Sequence, residues 1–243
     1  MNSDDREWII MESDDELEPN GVGLDMSDLS INDNDYYSIL CIDIGVINLG
    51  MSVIICDRNT YAFRDVVGVD LLDITTFPHP PGGSCECCLN HTKTFTDWME
   101  HIFQYYRIVF DSVDKILIER QPPMGFVAVE QLIFTKYRHK CELISPNSVH
   151  KFFGIGKYDY NTRKQRVEEI ALKYIKNPAI LEEFMGFERR HDMADSVCIG
   201  IFWLDKNNKE YTQRKHILDA NKRYAYALGM TSEEFFRQFR FSG

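Results

Sequence analysis

Ser38-Ile39-Leu40-Cys41-Ile42-Asp43-Ile44-Gly45 is an apolar run that ends on an aspartate and a glycine. Such a run, closed by a turn signal, reads as a buried strand, and a charge at its end is costly unless it finds a partner. Gly50-Met51-Ser52-Val53-Ile54-Ile55-Cys56 follows as its hairpin partner, and residues 61–72 form a weaker third strand with charges on alternate positions. Pro78, Pro80, Pro81, Gly82 and Gly83 then make a loop. Beyond it the period changes. Trp98, Ile102, Phe103, Tyr106 and Phe110 predict a helix over 96–114 with Thr96 as its N-cap. Lys115-Ile116-Leu117-Ile118-Glu119 predicts a short strand stopped by Gln121-Pro122-Pro123. A helix over 126–139, a strand over 141–146, a helix over 162–175 and a last strong helix from about His191 complete the series. Strands in hairpin order followed by strands alternating with helices predict an α/β domain, a mixed sheet flanked by helices on both faces.

Of the 243 residues 44% are hydrophobic and 13% aromatic, enough for a packed core and too many for wholesale disorder or a fibre. The net charge of −11 argues, taken alone, against a nucleic-acid partner. Its distribution argues otherwise. Residues 1–35 carry twelve acids and one base, Arg6, so of the chain's 38 acids and 27 bases the remainder keeps 26 of each. This predicts a disordered acidic tail over 1–35 on a neutral body over 36–243. Within the tail, Trp8-Ile9-Ile10-Met11 is an apolar island. The tail reads as an arbitrary solvated segment, as a docking motif for a protein partner, or as a mimic of nucleic acid that binds the chain's own basic surface. No run of about 18 apolar residues predicts a membrane span, and the acidic N-terminus has neither a secretory signal nor a transit peptide. Seven cysteines, with Cys41, Cys56, Cys141 and Cys198 inside apolar runs, fit a reduced, intracellular protein that is not secreted.

Four acids stand where elements end. Asp43 and Glu119 close apolar strands, and Asp192 and Asp195, three apart, share one face of a helix. Each has a modest reading: Asp43 a turn residue, Glu119 a partner for Arg120, Asp192 a helix cap, Asp195 a partner for Arg189 or Arg190. Together they make a different one. Converging carboxylates repel unless a cation sits between them, and hard oxygen ligands suit Mg²⁺, with Mn²⁺ as a substitute. Two such ions about 3.5–4 Å apart would support in-line cleavage of a phosphodiester.

Cys41-Ile-Asp43-Ile-Gly45, Ile116-Leu-Ile-Glu119-Arg-Gln121 and His191-Asp192-Met-Ala-Asp195-Ser196 occur in the order and spacing of the RuvC-like Holliday-junction resolvases, and over residues 37–205 the chain resembles most the poxviral and iridoviral type. The resemblance implies an RNase-H-like fold, a homodimer, and Mg²⁺-dependent paired nicks placed symmetrically across a four-way DNA junction. It matches Asp43, Glu119, Asp192 and Asp195 to the metal-binding acids, with two ions per site, and Lys164 to a catalytic lysine. Gly154-Ile155-Gly156 stands where the bacterial pattern has Gly-Ile-Gly, whereas Val149 falls at the place of an upstream lysine and Lys151 lies nearby. The viral type also implies a host cytoplasm or nucleus as the compartment.

From Lys136 to Lys176 ten Lys or Arg face four acids. Duplex arms are held chiefly through phosphates, so Lys136, Arg138, Lys140, Lys151, Lys157, Arg163 and Arg166 are candidate DNA contacts, against the bland reading of a solvated face. Residues 76–95 form a Cys/His-rich insertion in which Cys85, Cys87, Cys88 and His91 are candidate ligands of a structural zinc; an unliganded loop and a redox or interchain role are the other readings. Residues 212–243 read as a C-terminal helical extension through Ile217, Tyr224, Phe235, Phe236 and Phe239, packed on the body or sharing in a dimer interface. An actin-like ATPase would also place Asp-x-Gly on a first hairpin, but no further Gly-rich phosphate loop follows Gly156. An inactive DNA-binding module would not need all four acids, and other branched DNA or an RNA–DNA hybrid remains open as substrate. Deleting residues 1–35 should leave cutting intact and tighten junction binding at low salt; weaker binding in a titration of the truncated chain would refute the tail reading.

Overall fold

The structure, a computed structural model, describes residues 35–75 and 94–227, with 230, 231 and 234. It begins with three strands, β1 (Tyr36–Ile44), β2 (Asn48–Asp57) and β3 (Phe63–Asp73). Two helices follow, α1 (Phe95–Tyr105) and α2 (Arg107–Ser112), then β4 (Lys115–Glu119), α3 (Val127–Lys136) and β5 (Cys141–Ile144). Four helices close the chain: α4 (Pro146–Phe152), α5 (Tyr160–Ala171), α6 (Pro178–Gly186) and α7 (Arg190–Ala227). The sheet order is β3-β2-β1-β4-β5, antiparallel across the first two pairs and parallel across the last two. This is the expected RNase-H-like mixed sheet.

Alternation along the strands divides the core in two. Leu40, Ile42, Ile116 and Ile118 face α1, α2 and α3, where they meet Ile102, Phe110 and Ile133. Ile39, Cys41 and Leu117 face the other way, against Val167, Phe184, Val197 and Ile201 of α5, α6 and α7. Because helices cover both faces, β1 needs apolar residues at successive positions, and that is why it reads as an unbroken run.

Several boundaries differ from expectation. The 96–114 helix is two helices: the chain turns at Tyr106, whose hydroxyl donates to buried Asp70 on β3. The N-cap is Thr94 rather than Thr96. The helix expected to reach 139 stops at Lys136, and β5 ends at Ile144 because Pro146 opens α4. Pro suits a first helical position, where its missing N–H costs nothing. Helix α5 starts at Tyr160, with the Asp159 side chain accepting from the backbone N–H groups of Asn161 and Thr162. Helix α6 was not foreseen; among its nine residues Phe184 is the one that is buried.

The largest difference is at the end. Residues 212–227 do not form a separate extension packed on the body; they continue α7, and Ile217 and Leu218 are 53% and 47% exposed. The acidic tail up to residue 34 lies outside the described residues, as do Cys85, Cys87, Cys88, His91, and Phe235, Phe236 and Phe239.

Phe184 is fully buried and is the apolar anchor of α6. Phe184→Ala should therefore cost about 3–5 kcal/mol, read as a lowered urea midpoint; a loss below about 1 kcal/mol would show that α6 is not held by this contact.

Candidate active site

Parallel pairing of β1 with β4 sets Ile42 opposite Ile118, so Asp43 and Glu119 emerge side by side at the carboxyl ends of neighbouring strands. Asp43 also sits opposite Gly50 across the hairpin. A side chain at Gly50 would overlap the backbone carbonyl of Asp192, so the absence of one lets the first turn of α7 lie directly on β2. A second close approach occurs at Gly200, where a Cβ would meet Cys41 and Ile54. These contacts bring Asp192 and Asp195 to the strand ends. All four acids line one cavity of about 420 Å³, together with Arg163, Lys164, Tyr160, His150 and Arg189.

The carboxyls repel and are poorly hydrated. Burial pushes Asp43 well above the usual carboxylate range, the charges of Glu119 and Asp195 add to this, and a hydrogen bond to Glu119 holds the proton on Asp43. Glu119 is raised by burial and partly relieved by the bonds from Asp43 and Gln121. Asp195 is pushed up to about 7 by burial and by the charges of Glu119 and Asp192, against the pull of Arg163 and Lys164. The Gln121 side-chain amide donates to Glu119 at 2.9 Å and to the Ile44 carbonyl at 3.1 Å, fixing the end of β4 to the hairpin.

Asp192 is paired differently. Arg189 Nε lies 3.0 Å from its Oδ2 and His191 Nε2 lies 3.0 Å from its Oδ1. The same His191 Nε2 is 2.5 Å from Lys164 Nζ, and that ammonium lies 4.4 Å from the centre of the Tyr160 ring. Burial, aided by Lys164 and Arg189, holds His191 below its usual value against the pull of Asp192. A bare Nε2 accepts from Lys164 and a protonated one donates to Asp192, but one nitrogen cannot do both at once.

Among the described residues no group of three or more His, Cys, Asp or Glu side chains is arranged to hold a metal ion. The protonated Asp43 carboxyl donates to Glu119, and Asp192 accepts from Arg189 and lies against His191. The donor set still fits a hard cation in chemistry: four carboxylates face one cavity, and a cation would replace the proton that Asp43 holds against Glu119.

The four acids and Lys164 foreseen in the sequence thus come together, and Arg163 joins them from the basic segment. The others of that segment do not line the cavity. Lys136 pairs with Glu100 at 2.8 Å, Arg166 with Glu169 at 2.7 Å, and Lys140 donates to the Asp111 and Val113 carbonyls. Arg138 lies over the Phe134 ring, and Lys151 and Lys157 are exposed around the α4–α5 connection. The sequence reading gave no role to Gly50, His150, Tyr160 or the His191 ring, and it offered Arg189 to Asp195, whereas the structure pairs Arg189 with Asp192. Gly50 alone had a signal, a glycine inside a strand.

The architecture is that of a RuvC-like resolvase fold. No protein-family model and no curated protein sequence matches the chain. Among solved structures, the fowlpox virus resolvase in complex with Holliday junction DNA is similar with a TM-score of 0.50 and 12% identity, covering 70% of this chain and 97% of that one. The yeast mitochondrial Holliday junction resolvase is similar with a TM-score of 0.51 and 18% identity, covering 74% and 83%. At these identities the likeness is one of fold.

Two glycines separate packing from propensity. Gly50→Ala should cost about 1–3 kcal/mol by forcing α7 off the sheet, whereas Gly186→Ala, which meets nothing within 4 Å, should be near neutral. Equal urea midpoints for the two variants would disprove the close approach.

Proposed function

We propose that the protein is a metal-dependent, structure-specific endodeoxyribonuclease that resolves four-way DNA junctions by paired nicks. The observation that carries this is the convergence of Asp43, Glu119, Asp192 and Asp195 on one cavity that Lys164 and Arg163 also line. Carboxylates and cationic side chains lining the same cavity suit a bound cation and a phosphodiester at the same time.

Asp43 and Glu119, on rigid strand ends, and Asp192 and Asp195, on the first turns of α7, would hold two Mg²⁺ ions. When bound, such ions supply Lewis acidity to the attacking water and to the leaving oxygen. The chain's own part is positioning. Lys164, steadied by His191 and Tyr160, offers an ammonium to a non-bridging oxygen of the scissile phosphate. Arg163 holds a neighbouring phosphate, and Gln121 keeps Glu119 aimed into the cavity. Junction selectivity and symmetric cutting call for a homodimer with two such sites. The fold neighbours, both junction resolvases, favour a junction over other branched DNA, and the viral motif pattern favours the recombination or replication intermediates of a large DNA virus.

The test is a nicking assay with Mg²⁺ on a four-way junction, with duplex, flap and RNA–DNA hybrid as controls. The wild type should cut the junction preferentially, and Asp43→Asn should lose about 100-fold or more in rate, the scale seen when a preorganised electrostatic group is removed, while still binding it. Equal cutting by both proteins, or cutting by neither, would refute the nuclease reading; preference for another substrate would refute only the junction.

A further inference from the structure

The face of α7 that packs on the sheet follows alternating steps of four and three residues: Val197, Ile201, Leu204, Asn208. The first three are buried, and the Asn208 side-chain amide donates to the Thr60 carbonyl at 2.7 Å at the margin of the body. The same steps continue to Tyr211, Lys215, Leu218 and Lys222, and Tyr226 follows on that side. Beyond Tyr211 the helix has left the body. Leu218 is 47% and Tyr226 86% exposed, and Lys215 and Lys222 form no ion pair among the described residues. Apolar groups interleaved with cations therefore line an overhang about 22 Å long, at 1.5 Å per residue.

The start of β1 lies near the point where α7 leaves the body. Tyr37 stacks on Trp203 of α7 with ring centroids 6.3 Å apart, and the Asp35 carbonyl accepts from Arg58 N–H next to the turn that Asn208 holds. The chain upstream of Tyr36 is thus joined to the body where the helix leaves it. That segment, residues 1–34, carries eleven acids and one base, and its apolar island Trp8-Ile9-Ile10-Met11 is flanked by Glu7 and Glu12. Twenty-four residues lie between Met11 and Tyr36, a reach of about 80 Å at full extension, against an overhang of about 22 Å.

We propose that the acidic segment docks on the overhanging face of α7, with the Trp8–Met11 island against Tyr211, Leu218 and Tyr226 and its acids facing Lys215 and Lys222. Charge, apolar content and point of attachment all match, and the match does not depend on the nuclease reading. The overhang points away from the catalytic cavity, because that cavity lies at the other end of α7. The docked segment would neutralise the overhang without covering the catalytic cations.

The test uses the full chain with the photo-crosslinker p-benzoylphenylalanine in place of Trp8, irradiated and mapped by mass spectrometry. Crosslinks should concentrate on residues 211–226 of the same chain and fall about fivefold or more in Lys215→Glu/Lys222→Glu, as the loss of two exposed charge pairs allows. Both lysines are exposed, so the thermal midpoint of the variant should be unchanged and its crosslinking remains interpretable. Crosslinks concentrated on 136–166, crosslinks solely between isotopically distinguished chains, or crosslinks insensitive to the charge reversal would overturn the proposal. Protection of 211–226 by duplex DNA, with Trp8 crosslinking elsewhere, would overturn it in favour of a nucleic-acid surface.

Discussion

The close approach of α7 to the β1–β2 hairpin governs the rest of the molecule. Two of the four acids ride on strands and two ride on this helix, so its height above the sheet sets the distances between the pairs. Gly50 and Gly200 let it sit lower than any side chain would allow. Val197, Cys198 and Ile201 are then buried between helix and sheet. Close-packed interiors transmit displacement instead of absorbing it, so a change anywhere along this interface reaches the four carboxylates. Trp203, stacked with Tyr37 and set edge-on to Tyr61, fixes the same helix at the opposite end of the strands. Held at two ends, α7 has little freedom to tilt.

The site works against the fold that carries it. Asp43, Glu119 and Asp195 all hold their protons more tightly in the folded protein than in free chain. The folded state therefore binds the extra protons, and stability falls as pH rises from the normal carboxylate range through the raised values. A divalent cation would remove that penalty by taking the protons' place. Two dry layers, one on each face of the sheet, carry the cost. Concentrating destabilising charge at one edge is tolerable because the strands behind it are apolar on both sides.

What could be read from the sequence divides along physical lines. β1, β2 and β4 were legible because strands covered on both faces must be continuously apolar, and the acids stood out because they interrupt such runs. Helix α6 was not legible: a nine-residue helix that buries Phe184 alone leaves no periodic trace. The break at Tyr106 depends on a hydroxyl reaching Asp70, a contact 36 residues away in sequence, while the local spacing is helical throughout. At Pro146 one residue ends a strand and opens a helix, and the sequence reading took only the first meaning. In the site, chemistry was visible and support was not. His191 reaches Lys164 across 27 residues, a contact that tertiary structure alone supplies, whereas Arg189 meets Asp192 and Tyr160 meets Lys164 within about one helical turn.

The basic segment shows why charge counting stops short of a binding surface. Its excess of cations is real, yet the structure uses several of them internally. Lys140 satisfies the carbonyls of Asp111 and Val113 near the end of α2, where the helix dipole favours a positive charge. Lys136 and Arg166 are matched to glutamates on the surface, pairs that contribute little and screen readily. Arg163 and Lys164 line the same cavity as the four acids, where a phosphate would meet them with less water between. Cations with the same formal charge thus have different work. Placement beside the acids, more than number along the chain, sets Arg163 and Lys164 apart from the rest.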